Sequence, residues 1–364
     1  MNKKERIQAI RNGEVPDCMP VFPFILTHGV YACGWRLPDI TGPGFLDGEK
    51  SAQTVLETLK KYDYDIAFGS YFDLYFGLEV LGGTLKVTDQ YGGVVGAEKW
   101  PVEDPLDWPE VKKKFTTIFE KDQRIKGVLD SIKIVAKEVG DEVPIAVWGM
   151  PGATNCTCLL RNTEALTKDM IRDPKFAYEL CDYSNKFNIE FIRRQYDAGA
   201  NSVTILGDVF GTELTSPKMY EKFGLPFIQE IVDVVKKEFN QEVWLHVHGD
   251  FRGPKANALL DILVNEIGVK ALHLDQDHDA AWVKENVADK YKIPAAVMYH
   301  GPHMFTGPED KIDKDVYDIV SNCSPNYSYM APTCEVPPDV PMSYIDTWVR
   351  KTHEYSAKIY SEKK

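Results

Sequence analysis

Short apolar runs alternate with longer stretches in which apolar residues recur every three or four positions, almost from end to end of the chain. A short apolar run bounded by Gly, Pro or Asp predicts a buried strand, and the 3.6-residue period predicts a helix packed on it. Eight runs fit the first pattern: "MPVFPFI" (19–25), "YDIAFGSY" (64–71), "PIAVWGM" (144–150), "NSVTILGD" (201–208), "EVWLHVHG" (242–249), "VKALHLD" (269–275), "PAAVMYH" (294–300) and "YSYMAP" (327–332). Amphipathic helices are predicted over 51–62, 122–140, 174–199, 216–239 and 255–268. A helix between successive strands returns the chain to the same direction, so the alternation implies a parallel sheet. Eight such units predict a (β/α)8 TIM barrel, whose functional groups gather at the C-terminal ends of the strands.

Between the second and third strands, "LGGTLKVTDQYGGVVGAEKWPVEDPLDWPE" breaks the rhythm with Gly-Gly pairs and turn residues. It predicts a small hairpin insertion, about 82–110, followed by a Pro-rich loop over one barrel end. No repeat or linker divides the remainder, so residues 1–364 are expected to form a single domain.

The net charge of −13 leaves no basic stripe to neutralise phosphates, which argues against nucleic acid or an anionic membrane as partner and for a small molecule or another protein. No apolar run approaches the roughly 18–20 residues of a membrane span, and "MNKKERIQAIRNGEVPD" lacks the apolar centre of a secretory signal, so a cytoplasmic protein is expected. The seven cysteines, Cys18, Cys33, Cys156, Cys158, Cys181, Cys323 and Cys334, are odd in number and scattered, which suits reduced thiols.

The candidate chemistry starts in "EVWLHVHGD" (242–250), where the fifth strand ends in two histidines. Side chains at i and i+2 of a strand leave by the same face, so His246 and His248 point at one spot. A lone imidazole there reads as a core residue; the pair reads as two metal ligands. Cys334, at the end of the eighth strand and stiffened by Pro337 and Pro338, is either a plain buried cysteine or, as its place favours, the third ligand. Glu335 beside it either supports that ligand or faces solvent. Cys156-Thr-Cys158 has a metal-like spacing but lacks a second pair and falls where a helix begins.

Asp73, among the aromatics of "SYFDLYF", is a candidate to hydrogen-bond substrate or, with a pKa raised by burial, to protonate a leaving group; the alternative is a helix cap. Asp208 ends the fourth strand and either lines the mouth or caps the next helix. Of His28, His300 and His303, all at strand ends, one is expected to face the cavity, while His273 reads as core and His353 as surface. Tyr71, Phe72, Tyr75, Phe76, Tyr31, Trp35 and Trp148 cluster near strand ends, as walls for a planar ligand or as packing between barrel and helices.

Five ordered landmarks extend the reading: "KKERIQAIRNGEVPDCMPV" before and into the first strand; "FDLYFGLEVLGG" with Asp73, Glu79 and Gly82; "GMPG" at 149–152 followed by "RDPK"; "DAGANSVTILGDVFGTELTSPKMYEKFGLPF"; and "APTCEVPPDVP". In this order they resemble the uroporphyrinogen decarboxylase superfamily over nearly the whole chain. The decarboxylase grips a carboxylate-rich tetrapyrrole with arginines just after the first strand, whereas "FILTHGVYACGWRL" offers only Arg36. Cys334 also stands where the decarboxylase has a histidine. Both differences resemble the corrinoid-dependent methyltransferase branch, which binds zinc through a His-x-Cys pair after the fifth strand and a Cys at the eighth.

That resemblance implies zinc on His246, His248 and Cys334 with an open fourth position; beside it, the residue reading offers Asp73 and Asp208 as catalytic candidates and His28, Tyr71, Tyr75, His300 and His303 as candidates for the pocket. It also implies a partner protein carrying the corrinoid, and a methyl group moved between that corrinoid and a small substrate. His248 departs from the branch pattern, and one thiolate instead of two leaves zinc formally +1, which favours polarising the oxygen of a methyl ether donor over activating a thiol acceptor. A methylcorrinoid:thiol methyltransferase remains the alternative. So do a tetrapyrrole decarboxylase, a metal-dependent hydrolase (which usually carries its HxH pair on the first strand) and a non-catalytic corrinoid-protein docking or chaperone protein.

Overall fold

The computed structural model describes residues 1–88, 94–275 and 277–362. Seven parallel strands pair in the spatial order eighth to second: Ser328–Pro332, Ala295–Tyr299, Ala271–His273, Val243–Val247, Thr204–Asp208, Ile145–Gly149 and Ala67–Phe68. Register is in step around the sheet, with Val147 beside Thr204, Thr204 beside Val243, Trp244 beside Ala271, and Ala295 beside Ser328. Nearly every strand residue is buried, as a parallel sheet covered on both faces requires.

The segment predicted as the first strand closes this sheet into a barrel without forming a ladder. Pro20 and Pro23 carry no N–H, so pairing shrinks to one bridge between Val21 and Met330. Phe22 N donates to Met330 O at 2.8 Å, Met330 N donates to Pro20 O at 2.8 Å, and on the other side Asp65 N donates to Val21 O at 3.0 Å. A side chain supplements this thin seam. The fully buried Asp65 carboxylate accepts Val21 N at 2.8 Å, an Arg6 guanidinium N–H at 3.0 Å and His353 Nε2 at 2.8 Å. His353 is therefore not the surface residue expected from its polar neighbours. It ties the last helix, Met342–Ser361, to the barrel, as Arg6 ties the first, Lys3–Asn12.

The predicted helices form, with two changes. Pro226 cannot supply a helical N–H, and the segment 216–239 divides into Pro217–Phe223 and Leu225–Phe239. The segment 255–268 runs as an α-helix over Pro254–Asp261 and widens into a π-helical turn, Ile262–Ile267, before Gly268. The insertion holds an antiparallel pair, Thr84–Val87 with Val95–Lys99; residues 89–93 lie outside the described residues. Leu78, Leu85 and Val95 pack beneath it as a small cluster separate from the main core, which runs continuously from Ile7 to Tyr360. Among the described residues no helix is long and apolar enough to cross a membrane.

Candidate metal centre and cavity

His246 is the fourth residue of the fifth strand, in register with His273, and His248 follows the strand's last residue. The period-2 expectation holds: the two rings lie on the same side with centroids 4.6 Å apart. The turn beyond them is held tight by glycine. Gly249 takes φ +118°, and a Cβ on Gly211 would stand 2.1 Å from the His248 carbonyl oxygen, so the loop after the fourth strand presses directly on this strand end.

Cys334, two residues past the eighth strand, completes a group in which the donor atoms of His246, His248 and Cys334 all lie within 4.8 Å of one another. The electrostatics fit a cation. His246 is 3% exposed and neither ring nitrogen has a hydrogen-bond partner of normal geometry. Burial, reinforced by the imidazoles of His273 and His248, pushes its pKa well down and keeps it neutral, although the backbone at His273 favours the charged ring slightly. His248 is the opposite. Burial works against its charge, but hydrogen bonds to Asp275 and Cys334 outweigh it and carry the pKa up to about 10. Positive charge is thus favoured between Cys334 and Asp275, where a metal ion would replace a proton. The donor set of two imidazoles and one sulfur suits zinc.

His246 and Cys334 border a cavity of about 230 Å³ walled by Phe24, Phe68, Tyr71, Phe72 and Trp148. Phe24 has φ +47°, a conformation that costs a non-glycine residue roughly 1–2 kcal/mol, and its ring lies edge-to-face with those of His246 at 5.8 Å and His273 at 5.2 Å. Of the aromatics expected as a wall, Tyr71, Phe72, Tyr75 and Trp148 line it, whereas Tyr31, Trp35 and Phe76 do not. Tyr71 is buried, which pushes its hydroxyl far above the ordinary range.

Asp73 also lines this cavity, and it is not an exposed cap. It is 8% exposed and paired with Arg124, which is 1% exposed, while its other oxygen accepts Tyr75 N at 3.0 Å. Arg124 donates further to Tyr75 O at 3.3 Å and Thr41 Oγ1 at 3.4 Å and lies over the Phe76 ring. Glu335 enters the cavity beside Cys334; burial lifts its carboxyl to about 7 even though Thr27 N donates to it at 2.6 Å.

Other candidates lie elsewhere. Asp208 does not line the cavity: Thr154 Oγ1 (2.6 Å), Phe210 N (3.0 Å) and Tyr220 OH (2.9 Å) all donate to it in the interior, and burial raises its pKa. His28 is a satisfied core histidine, 2.9 Å from Tyr62 OH and 3.3 Å from Pro338 O. His300 and His303 share a different cavity, about 330 Å³, with His278, Lys311, Asp315 and Thr333. His273 is core, as expected, its Nε2 2.8 Å from Pro332 O. Cys156 and Cys158 are buried in the helix Gly152–Leu159 and join no metal-ligating group among the described residues. Two residues went unnoticed in the sequence. Arg124 sits in an ordinary amphipathic helix with nothing to mark it, whereas Asp275, at the end of a predicted strand, carried the signal that singled out Asp208.

The model of the family described as Uroporphyrinogen decarboxylase (URO-D) matches residues 2–355. The chain is 24% identical over 263 residues to the methylcobamide:CoM methyltransferase MtbA of Methanosarcina acetivorans, covering 68% of this chain and 72% of that protein. It is 27% identical over 236 residues to the methylcobamide:CoM methyltransferase MtaA of Methanosarcina barkeri, covering 64% of this chain and 65% of that protein. A solved structure described as a methyltransferase from Methanosarcina mazei superposes with a TM-score of 0.79 at 19% identity, over 98% of this chain and 99% of that one, and supports the barrel fold.

Proposed function

Since the chain belongs to the uroporphyrinogen decarboxylase family, we propose that it is a methyltransferase that moves a methyl group between a small substrate and the corrinoid of a partner protein. It acts as a single-domain cytoplasmic enzyme. The observation that carries this reading is the convergence of His246, His248 and Cys334, with unpartnered nitrogens on His246, beside an aromatic cavity. The names of its methyltransferase relatives support it.

His246, His248 and Cys334 hold zinc in this proposal. When bound, zinc supplies Lewis acidity toward the heteroatom of the substrate. Phe24, Phe68, Tyr71 and Trp148 exclude water and pack against an apolar or ring-bearing substrate. Asp73, held by Arg124, presents a fixed carboxylate edge to that substrate, and Asp208 positions the strand end from the interior without touching it. A methyl ether fits the aromatic wall best. The thiol-acceptor reading is favoured by a separate observation: the Asp275 carboxylate beside His248 returns negative charge to a centre with only one thiolate.

Metal analysis and a cobalt-spectrum assay test the reading. Purified protein should carry about one zinc, Cys334→Ala should lose most of it with the fold intact, and Asp73→Asn and Asp208→Asn should keep zinc but lose turnover. With a reduced corrinoid protein, methyl ethers should yield the methylated corrinoid spectrum. Demethylation of that corrinoid by thiols alone would establish the thiol reading, and no transfer in either direction would overturn the proposal.

A further inference from the structure

Among the described residues His248 is shared by two groups of potential metal ligands: His246, His248 and Cys334 on one side, and Glu213, His248 and Asp275 on the other. Asp275 Oδ2 lies 3.1 Å from His248 Nδ1, and Glu213 Oε2 lies 3.7 Å from the same nitrogen. The two carboxylates differ in burial. The Asp275 side chain is 13% exposed, two residues beyond the sixth strand, whereas Glu213 is 58% exposed on the loop after the fourth. Only Asp275 is at hydrogen-bonding distance and sheltered from water, so only it sets the orientation of the ring.

We infer that Asp275 is a positioning residue for the metal centre: it accepts the Nδ1 proton of His248, fixes the ring as the Nδ1–H tautomer and leaves Nε2 as the donor toward His246 and Cys334. This rests on the metal reading proposed above and assigns to it a residue outside the three ligands. A carboxylate that holds a ligating imidazole fixes its rotation and makes its other nitrogen more basic, with typical losses of ~10–100-fold in metal affinity when it is removed. The same contact explains why an imidazole suits this position. A thiolate at 248 would face the Asp275 carboxylate with like charge and no proton to share, so the residue types at 248 and 275 are coupled.

The test is zinc affinity, measured by competition with a chromogenic chelator on metal-stripped, reloaded full-length protein, with circular dichroism as the check on folding. Asp275→Ala should weaken zinc ~10–100-fold, Asp275→Asn should fall between it and wild type because its amide oxygen still accepts the Nδ1 proton, and Glu213→Ala should change little. His248→Cys should bind zinc more weakly than the double variant His248→Cys/Asp275→Asn, in which the like-charge contact is gone. Loaded with cobalt(II), Asp275→Ala should shift the ligand-field bands while keeping the sulfur-to-cobalt transition of Cys334. Wild-type protein that takes up no stoichiometric zinc would overturn the metal reading itself. Tight zinc in wild type and equally tight zinc in Asp275→Ala would overturn the role of Asp275 alone, as would a loss in Glu213→Ala that exceeds the loss in Asp275→Ala.

Discussion

In the metal-free protein His246 is a burden on stability, and the substitution His246→Leu exposes it. The ring is 3% exposed, neutral because burial depresses its pKa, and has neither nitrogen hydrogen-bonded. A buried polar atom left unpaired costs about 1–3 kcal/mol, and the neutral ring has one donor and one acceptor in that state, a gross cost of roughly 2–6 kcal/mol. Leucine is of similar size and removes both. Against this, the ring contacts with Phe24 at 5.8 Å and His273 at 4.3 Å are lost, at about 0.5–1.5 kcal/mol, and the change of shape costs about 1 kcal/mol more. The net expectation is a gain of roughly 1–2 kcal/mol, a rise in Tm of about 1–3 °C for a chain this long.

Zinc reverses the order. Metal at 100 times its Kd stabilises the wild type by about 2.7 kcal/mol and the variant hardly at all, so the two melting curves should exchange places when chelator is replaced by zinc. Differential scanning calorimetry at pH 7.5 in both conditions measures it. If His246→Leu melts below wild type in chelator, the imidazole is a satisfied core residue and the argument from its unpartnered nitrogens is wrong.

Three further outcomes follow from particular contacts. Asp65→Ala strands Val21 N–H and His353 at the barrel seam, while Arg6 keeps only Asp17, and should cost about 3–5 kcal/mol in urea unfolding; a loss under about 1 kcal/mol would mean the Val21–Met330 bridge closes the ring unaided. Arg124→Met leaves the Asp73 carboxylate buried without its cation, at about 3–5 kcal/mol, and the double variant Arg124→Met/Asp73→Asn should recover much of that; purely additive effects would deny the coupling. His28 is held neutral, its pKa lowered to about 4 mainly by burial, so the unfolded chain takes up its proton first: stability is complete above about pH 6.5 and falls by roughly 2–3 kcal/mol as the pH drops toward 4, and His28→Gln, which keeps a partner for Tyr62, should flatten that fall in equilibrium unfolding at stepped pH.

What the chain determined by itself was local and periodic. Apolar runs and 3.6-residue patterns specify strands and helices because each depends on residues a few positions apart, and the same rule put His246 and His248 on one face. Cys334 was found through its place at a strand end, since a barrel gathers all such ends at one mouth.

Everything that depends on how far a side chain turns, or on what comes to meet it from elsewhere in the chain, belonged to the tertiary structure. His28 sits at the mouth by position, yet its ring turns back to Tyr62, 34 residues on. His300 and His303 follow the seventh strand and open into the neighbouring cavity. Asp73 read as either cap or catalyst until Arg124, 51 residues away, arrived beside it, and Asp275 gained meaning only when the sixth strand brought it to His248. The first strand shows the division within one segment. Its apolar residues made it a barrel strand, its prolines denied it a ladder, and the carboxylate of Asp65 took the place of the missing hydrogen bonds because the neighbouring strand lay alongside.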